Sequence, residues 1–245
     1  LRSDRMHHEY HHWHSPTLGG TDMRVHVWGH GGARLLAFPT SMGDHREWPD
    51  RRMTHVLGEH LRNGWLQLWS VDTVNDSSWY AKWKAPHDRA VRQLQYDAWL
   101  HDELLPLMDH RNPNRFTITA GASFGAYHAL AFGLRHPDRV QRIVAMSGPT
   151  DMSGWFGGVH SWATHAVNPG AFMRHEHDPA RLAAFRRQDI ILAVGRDDPF
   201  AVDNRAFSGM LWEKGIGNAL REWDGHAHDW PWWERMIRLY VGGHD

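Results

Sequence analysis

Gly121-Ala122-Ser123-Phe124-Gly125 is a G-x-S-x-G motif, and a serine so placed is a candidate nucleophile toward a carbonyl carbon. The five letters alone are permissive, because glycine and serine are common. Their flanks make them specific. A β-rich run, residues 116–120 (FTITA), stops just before the motif, and a helical run begins at Phe124. Strand, sharp turn and helix in that order present a serine hydroxyl clear of the backbone. Glycines two positions to either side let strand and helix approach closely. The helix N-terminus sets its positive end where an oxyanion would develop. A phosphate loop would need Gly-Lys-Ser/Thr, which is absent.

The hydroxyl needs a base, and the base needs an acid to orient it. With this motif the partners follow in the order serine, acid, histidine. The apolar run 190–194 (IILAV) leads into Gly195-Arg196-Asp197-Asp198-Pro199. Catalytic groups gather at the carboxyl ends of parallel strands, so the acid is expected there, with Asp198 the first choice and Asp197 its rival. The last strand-like run, 219–223, precedes Asp224-Gly225-His226-Ala227-His228-Asp229-Trp230. His228 is the preferred base and His226 the alternative. Two backbone N–H groups would complete an oxyanion hole. Phe124 follows the nucleophile, and Met42, in Pro39-Thr40-Ser41-Met42-Gly43, is the expected second donor.

The rest of the chain supplies elements to position these groups. Residues 23–28 alternate as a strand, Gly29-His30-Gly31-Gly32 reads as a hairpin turn, and 34–39 reads as the strand that returns. Helical spacing covers 48–62, closed by Asn63-Gly64, and 87–110, where Pro106 should bend or break the helix. Further strands are expected at 66–71 and 142–146, and further helices at 124–135, 202–214 and 230–240. Strands alternating with helices after a β-hairpin predict one α/β domain over 1–245. Its sheet should be mainly parallel, with helices on both faces. Residues 151–188 are too poor in apolar runs to own a core and read as a small cap or insertion.

Composition narrows the function. Of 245 residues 41% are hydrophobic and the formal net charge is -1, which suits a large core and implies no nucleic-acid partner. Absence of cysteine removes disulfides, thiolate metal ligands and a thiol nucleophile, and fits the cytoplasm. No apolar run approaches the ~18–20 residues that span a bilayer, so no membrane partner is expected. Residues 1–15 are His-rich and are read as a mobile terminus without a signal-peptide core. Those before Met6 read as a cloning scar. His7-His8-Glu9-Tyr10-His11-His12-Trp13-His14 has spacings that suit zinc or nickel. It lacks a catalytic partner, and no metal or organic cofactor is assigned. Trp79 and Tyr80 follow a strand end and are candidates, with Ser41, Trp155 and Trp232, for the substrate-binding wall.

FPTSMGD, SSWYAKW, GASFGAYHALAFGLRHPD and the terminal HDWPWW resemble bacterial esterases near esterase D, S-formylglutathione hydrolase and antigen 85. The likeness runs from about Ser15 to Gly243, and GASFGAYHA and HDWPWW are its most specific parts. It implies an α/β-hydrolase fold and a small-molecule ester or thioester substrate. Ser123 matches the family nucleophile, His228 the histidine before Asp-Trp, and Asp198 the acid position. Met42 falls at the second oxyanion donor, although Ser41 replaces a family glycine. The leading expectation is therefore a serine carboxylesterase for small acyl esters working through an acyl-enzyme on Ser123. Acyl transfer on the same triad, a thioesterase, and a non-catalytic binding protein of the same fold are the alternatives.

Overall fold

The computed structural model of the chain describes residues 6–243; the residues before Met6, read above as a scar, lie outside these. Eight strands form one sheet: β1 (His8–Ser15), β2 (Thr21–Trp28), β3 (Ala33–Phe38), β4 (Leu66–Val71), β5 (Thr117–Ala122), β6 (Arg142–Met146), β7 (Asp189–Gly195) and β8 (Ala219–Trp223). Their spatial order is β1-β2-β4-β3-β5-β6-β7-β8. β2 runs antiparallel to β1 and to β4, and every other pairing is parallel.

Parallel strands covered on both faces read as continuous apolar runs, and β4 and β5 are buried at every position. Neighbouring residues on one strand feed opposite cores. Leu35, Leu68, Val144 and Ile191 pack on one face with Trp233, Met236 and Ile237. Leu36, Trp69, Ile143 and Leu192 pack on the other with Tyr96, Trp99 and Leu130. Among the described residues no helix is long and apolar enough to cross a membrane.

Four expectations change. The hairpin is real but joins β1 to β2; β2 and β3 do not pair, because β4 lies between them. The His-rich segment is not a mobile end but β1 itself, with alternate residues half-buried. Glu103 fixes its far end, accepting from Trp13 Nε1 at 2.6 Å and Ser15 Oγ at 2.7 Å. The helix expected over 48–62 is three short pieces, Glu47–Asp50, Met53–Val56 and Gly58–Arg62, interrupted where Arg52 turns left-handed at φ 62°. Near Pro106 the helix does not break. Helix Pro86–Trp99 widens into a π turn over Leu100–Leu104 and continues as Leu105–Arg111. The wide turn lies where the proline ring would otherwise strike the carbonyl four residues back.

Residues 151–188 fold into a 3-10 turn and three short helices. Their apolar residues Met152, Phe156, Ala163 and Val167 pack on Trp79, Phe124 and Tyr127. The insertion thus covers the helix that follows Ser123.

Candidate active site

Ser123 stands between β5 and helix Phe124–Arg135 with φ 54° and ψ -121°, a backbone conformation that costs a non-glycine residue of order 1–3 kcal/mol. The surrounding contacts hold it. Its N–H donates to the Met146 carbonyl at 2.8 Å. A Cβ on Gly121 would lie 2.1 Å from the Gly125 carbonyl oxygen, and one on Gly125 2.6 Å from the Phe38 and Pro39 oxygens. Both motif glycines are therefore required by close approach of backbone to backbone.

Loops from β7 and β8 complete a line of hydrogen bonds. Ser123 Oγ lies 3.2 Å from His228 Nε2, and His228 Nδ1 lies 2.7 Å from Asp198 Oδ2. The Asp198 side chain has 0% exposure and that of His228 21%. The second Asp198 oxygen accepts the Phe200 N–H at 2.9 Å. Asp229, beside His228, caps the last helix, Trp230–Tyr240, by accepting the Trp230 N–H at 2.7 Å. The rival residues lie elsewhere. Asp197 and His226 are exposed, and His226 Nδ1 faces the Asp197 carbonyl at 3.5 Å.

Opposite His228, the chain leaving β3 makes a tight turn in which Gly43 N–H donates to the Thr40 carbonyl. Glu47 clamps its start, accepting from Thr40 N at 2.6 Å and Thr40 Oγ1 at 2.7 Å. The N–H groups of Ser41 and Met42 donate to no group among the described residues. Thr40, Ser41 and Met42 line a shallow cleft of about 340 Å³ with Ser123, Trp230 and Trp233. The Met42 side chain is 81% exposed at its lip.

The aromatic candidates fall into two layers. Trp79 is 1% exposed, set edge-on to Phe124 and Tyr127 with ring centroids 5.7 and 5.1 Å away. It backs the wall instead of forming its surface. Tyr80 and Trp155 are only half-buried and pack at 5.5 Å from each other, Trp155 at 5.2 Å from Phe124. Trp232 does not line the Ser123 cleft; Trp230 and Trp233 do, because a spacing of three puts those two on one helical face.

The family described as "Putative esterase" matches residues 70–238, more than half of the chain. The chain belongs to this esterase family. It is a carboxylic ester hydrolase of α/β-hydrolase fold. No curated protein sequence matches it. Solved structures do. A ferulic acid esterase is 18% identical with a TM-score of 0.74, covering 96% of each chain. An S-formylglutathione hydrolase from Agrobacterium tumefaciens is 15% identical at 0.73, covering 99% of this chain and 95% of its own. MPT51 of Mycobacterium tuberculosis is 19% identical at 0.68, covering 96% and 97%. At these identities the likeness is one of fold.

Several residues of the esterase escape a reading of its sequence. Glu47, Gln93 and His128 all lie within the polar framework of the site, yet Glu47 and Gln93 belong to no motif, and His128 lies within GASFGAYHA without a role read for it. His128 carried one visible cue: it is the sole titratable side chain but a tyrosine in FGAYHALAFGL, a stretch buried throughout. Asp44, His45 and Asp72 cluster closely enough to hold a metal ion. Asp72 is already engaged, however, by the His45 ring and N–H through one oxygen and by the Arg24 N–H through the other. In β1, Glu9 sits between His7 and His11 at 2.8 and 2.9 Å.

Proposed function

We propose that this esterase is a serine carboxylesterase hydrolysing small acyl esters through an acyl-enzyme on Ser123. The observation that carries the reading is the continuous line from Asp198 through His228 to Ser123, with the serine at a strained elbow. Ser123 Oγ attacks the ester carbonyl carbon while His228 Nε2 takes its proton. Asp198, sheltered from water, holds the imidazole and stabilises its charged form. The negative charge that develops on the carbonyl oxygen is met by the N–H groups of Phe124 and Met42. His228 returns the proton to the leaving alcohol. Water, deprotonated by the same nitrogen, then attacks the acyl-enzyme and releases the acid. Each step uses groups of the chain itself and draws on no metal or organic cofactor.

A shallow cleft bounded by indoles supports short or flat acyl groups over long flexible ones. Tyr80 and Trp155 offer a face for an aromatic acyl group, which accords with the ferulic acid esterase among the structural neighbours. The test is release of p-nitrophenol from p-nitrophenyl acetate. Ser123→Ala is expected to lose about 10³-fold or more of kcat, and a fluorophosphonate should label the parent protein at Ser123 alone. Equal release by parent and variant removes the mechanism. Rates that climb steadily from acetyl to dodecanoyl esters remove the small-acyl specificity.

A further inference from the structure

A directional chain of buried hydrogen bonds crosses the floor of the site without touching Ser123. Trp79 Nε1–H donates to Gln93 Oε1 at 3.0 Å. Gln93 Nε2 faces His128 Nδ1 at 3.5 Å, and His128 Nε2 meets Asn75 Oδ1 at 2.8 Å. Asn75 Nδ2 donates to the Ser41 carbonyl at 3.2 Å. Every donor points the same way, which assigns the proton of His128 to Nε2. Gln93, His128 and Asn75 are each at most 5% exposed, so these three side chains meet away from bulk solvent. Burial pushes the His128 imidazole down to about 3, and the ring keeps this neutral form across the working range of an esterase.

The last link has a stereochemical consequence. The Ser41 carbonyl and the Met42 N–H belong to one peptide group, and no peptide bond among the described residues is cis. In a planar trans peptide C=O and N–H point in opposite directions. Anchoring the Ser41 oxygen on Asn75 therefore fixes where the Met42 N–H points. Donation to the carbonyl oxygen also polarises the amide and strengthens its N–H as a donor. The Glu47 clamp on the Thr40 N–H secures the Pro39–Thr40 peptide, and the Gly43 N–H holds the Thr40 carbonyl of the next, but neither bond holds the Ser41–Met42 peptide.

We infer that Asn75 and His128 are positioning residues that orient the Ser41–Met42 peptide, so that Met42 N–H is aimed in advance at the oxyanion. The inference rests on the Ser123 reading above, and its test separates the two. Asn75→Ala, His128→Leu, His128→Gln and the double variant Asn75→Ala/His128→Leu would be compared with the parent on p-nitrophenyl acetate. Affinity for a trifluoromethyl ketone, which forms a tetrahedral adduct with its oxygen in the hole, would be measured alongside. Asn75→Ala and His128→Leu are expected to lower kcat about tenfold or more, below the 10²–10³ of losing a donor outright. KM should stay within about twofold, and the ketone should weaken by the same factor as kcat. His128→Gln keeps an N–H donor and should recover most of the loss with an unchanged pH profile. The double variant should be no worse than Asn75→Ala, since both act through one link. A folded Asn75→Ala protein with parental kcat and ketone affinity overturns the inference, and so does a double variant whose losses multiply. If His128→Leu does not fold, Asn75→Ala decides alone. Activity that survives Ser123→Ala would instead overturn the nucleophile and leave the relay without a reaction to serve.

Discussion

A carboxylate withdrawn from water keeps its charge only where donors replace the lost solvent. Asp198 receives the Phe200 N–H on one oxygen and the His228 ring on the other, whereas Asp197, one residue away, is exposed. Asp198→Asn is therefore expected to lower kcat about 10⁴-fold, as when an orienting acid is neutralised in other triads. Asp197→Asn should stay within about twofold of the parent. Steady-state kinetics on p-nitrophenyl acetate check both, and matched losses would mean that the loop has been assigned to the wrong residue. Sequence could reach the pair but not choose within it. Which of two adjacent side chains points inward depends on how the chain turns after Gly195, and both lie in the same stretch before Pro199. The histidines posed the same problem. There the turn at Ala227, φ 45°, sends His228 toward Ser123 and His226 toward solvent. Trp232 illustrates the reverse case, since the helical period in WPWW was enough to favour Trp230 and Trp233 at the cleft.

At the scale of elements, the elbow depends on two backbones in contact. Gly125 opens the helix against the end of β3, with no room for a methyl group before the Phe38 and Pro39 oxygens. Gly125→Ala is expected to push the helix and the turn at 40–43 apart, lowering kcat by at least tenfold while the variant still folds. This can be read as kcat set beside the far-ultraviolet circular dichroism. An unchanged kcat would show that the contact has slack. Most elements were legible because their patterns are local. β6 and β7 announce themselves by the apolar runs IVAM and IILAV, and the helices at 124–135 and 230–240 by apolar residues at helical spacing. Pairing partners were not legible. The alternation in β2 says that one face is buried, not which strand lies beside it, and Gly29-His30-Gly31-Gly32 resembles a hairpin turn although it crosses over β4. The β1 histidines failed for a different reason. A polar composition suggested a mobile end, but an edge strand needs only one buried face, and Trp13 together with the Glu103 bonds supplies the anchor.

Across the whole molecule, histidine burial couples stability to pH. His26 packs against His8 and His45, with Asp44 and Asp50 facing it. Burial first, then those two imidazoles, hold it down at about 4 instead of 6.5. His128 is lowered further, to about 3, by burial. Between pH 6.5 and about 4 the unfolded chain binds protons at these positions that the folded chain does not. Stability must therefore fall as the pH drops through that window. The thermal midpoint should be lower at pH 5 than at pH 7, and His26→Gln should narrow the difference. A midpoint that is flat or rises toward pH 5 would contradict this.

The sheet order carries a further consequence, for how the chain acquires activity. The turn at 40–43 follows β3 and Ser123 follows β5, both in the middle of the sheet, but His228 arrives on the loop after β8, its outermost parallel strand. β8 pairs with β7 alone, and β7 waits on a crossover from β6 through the whole of 151–188. Long crossovers of this kind form slowly. During refolding, the central strands can regain secondary structure and bury Trp69 while Ser123 still lacks the His228 ring beside it. Recovered turnover thus times the closing of one edge of the sheet, an event to which tryptophan fluorescence from the middle of the molecule is blind.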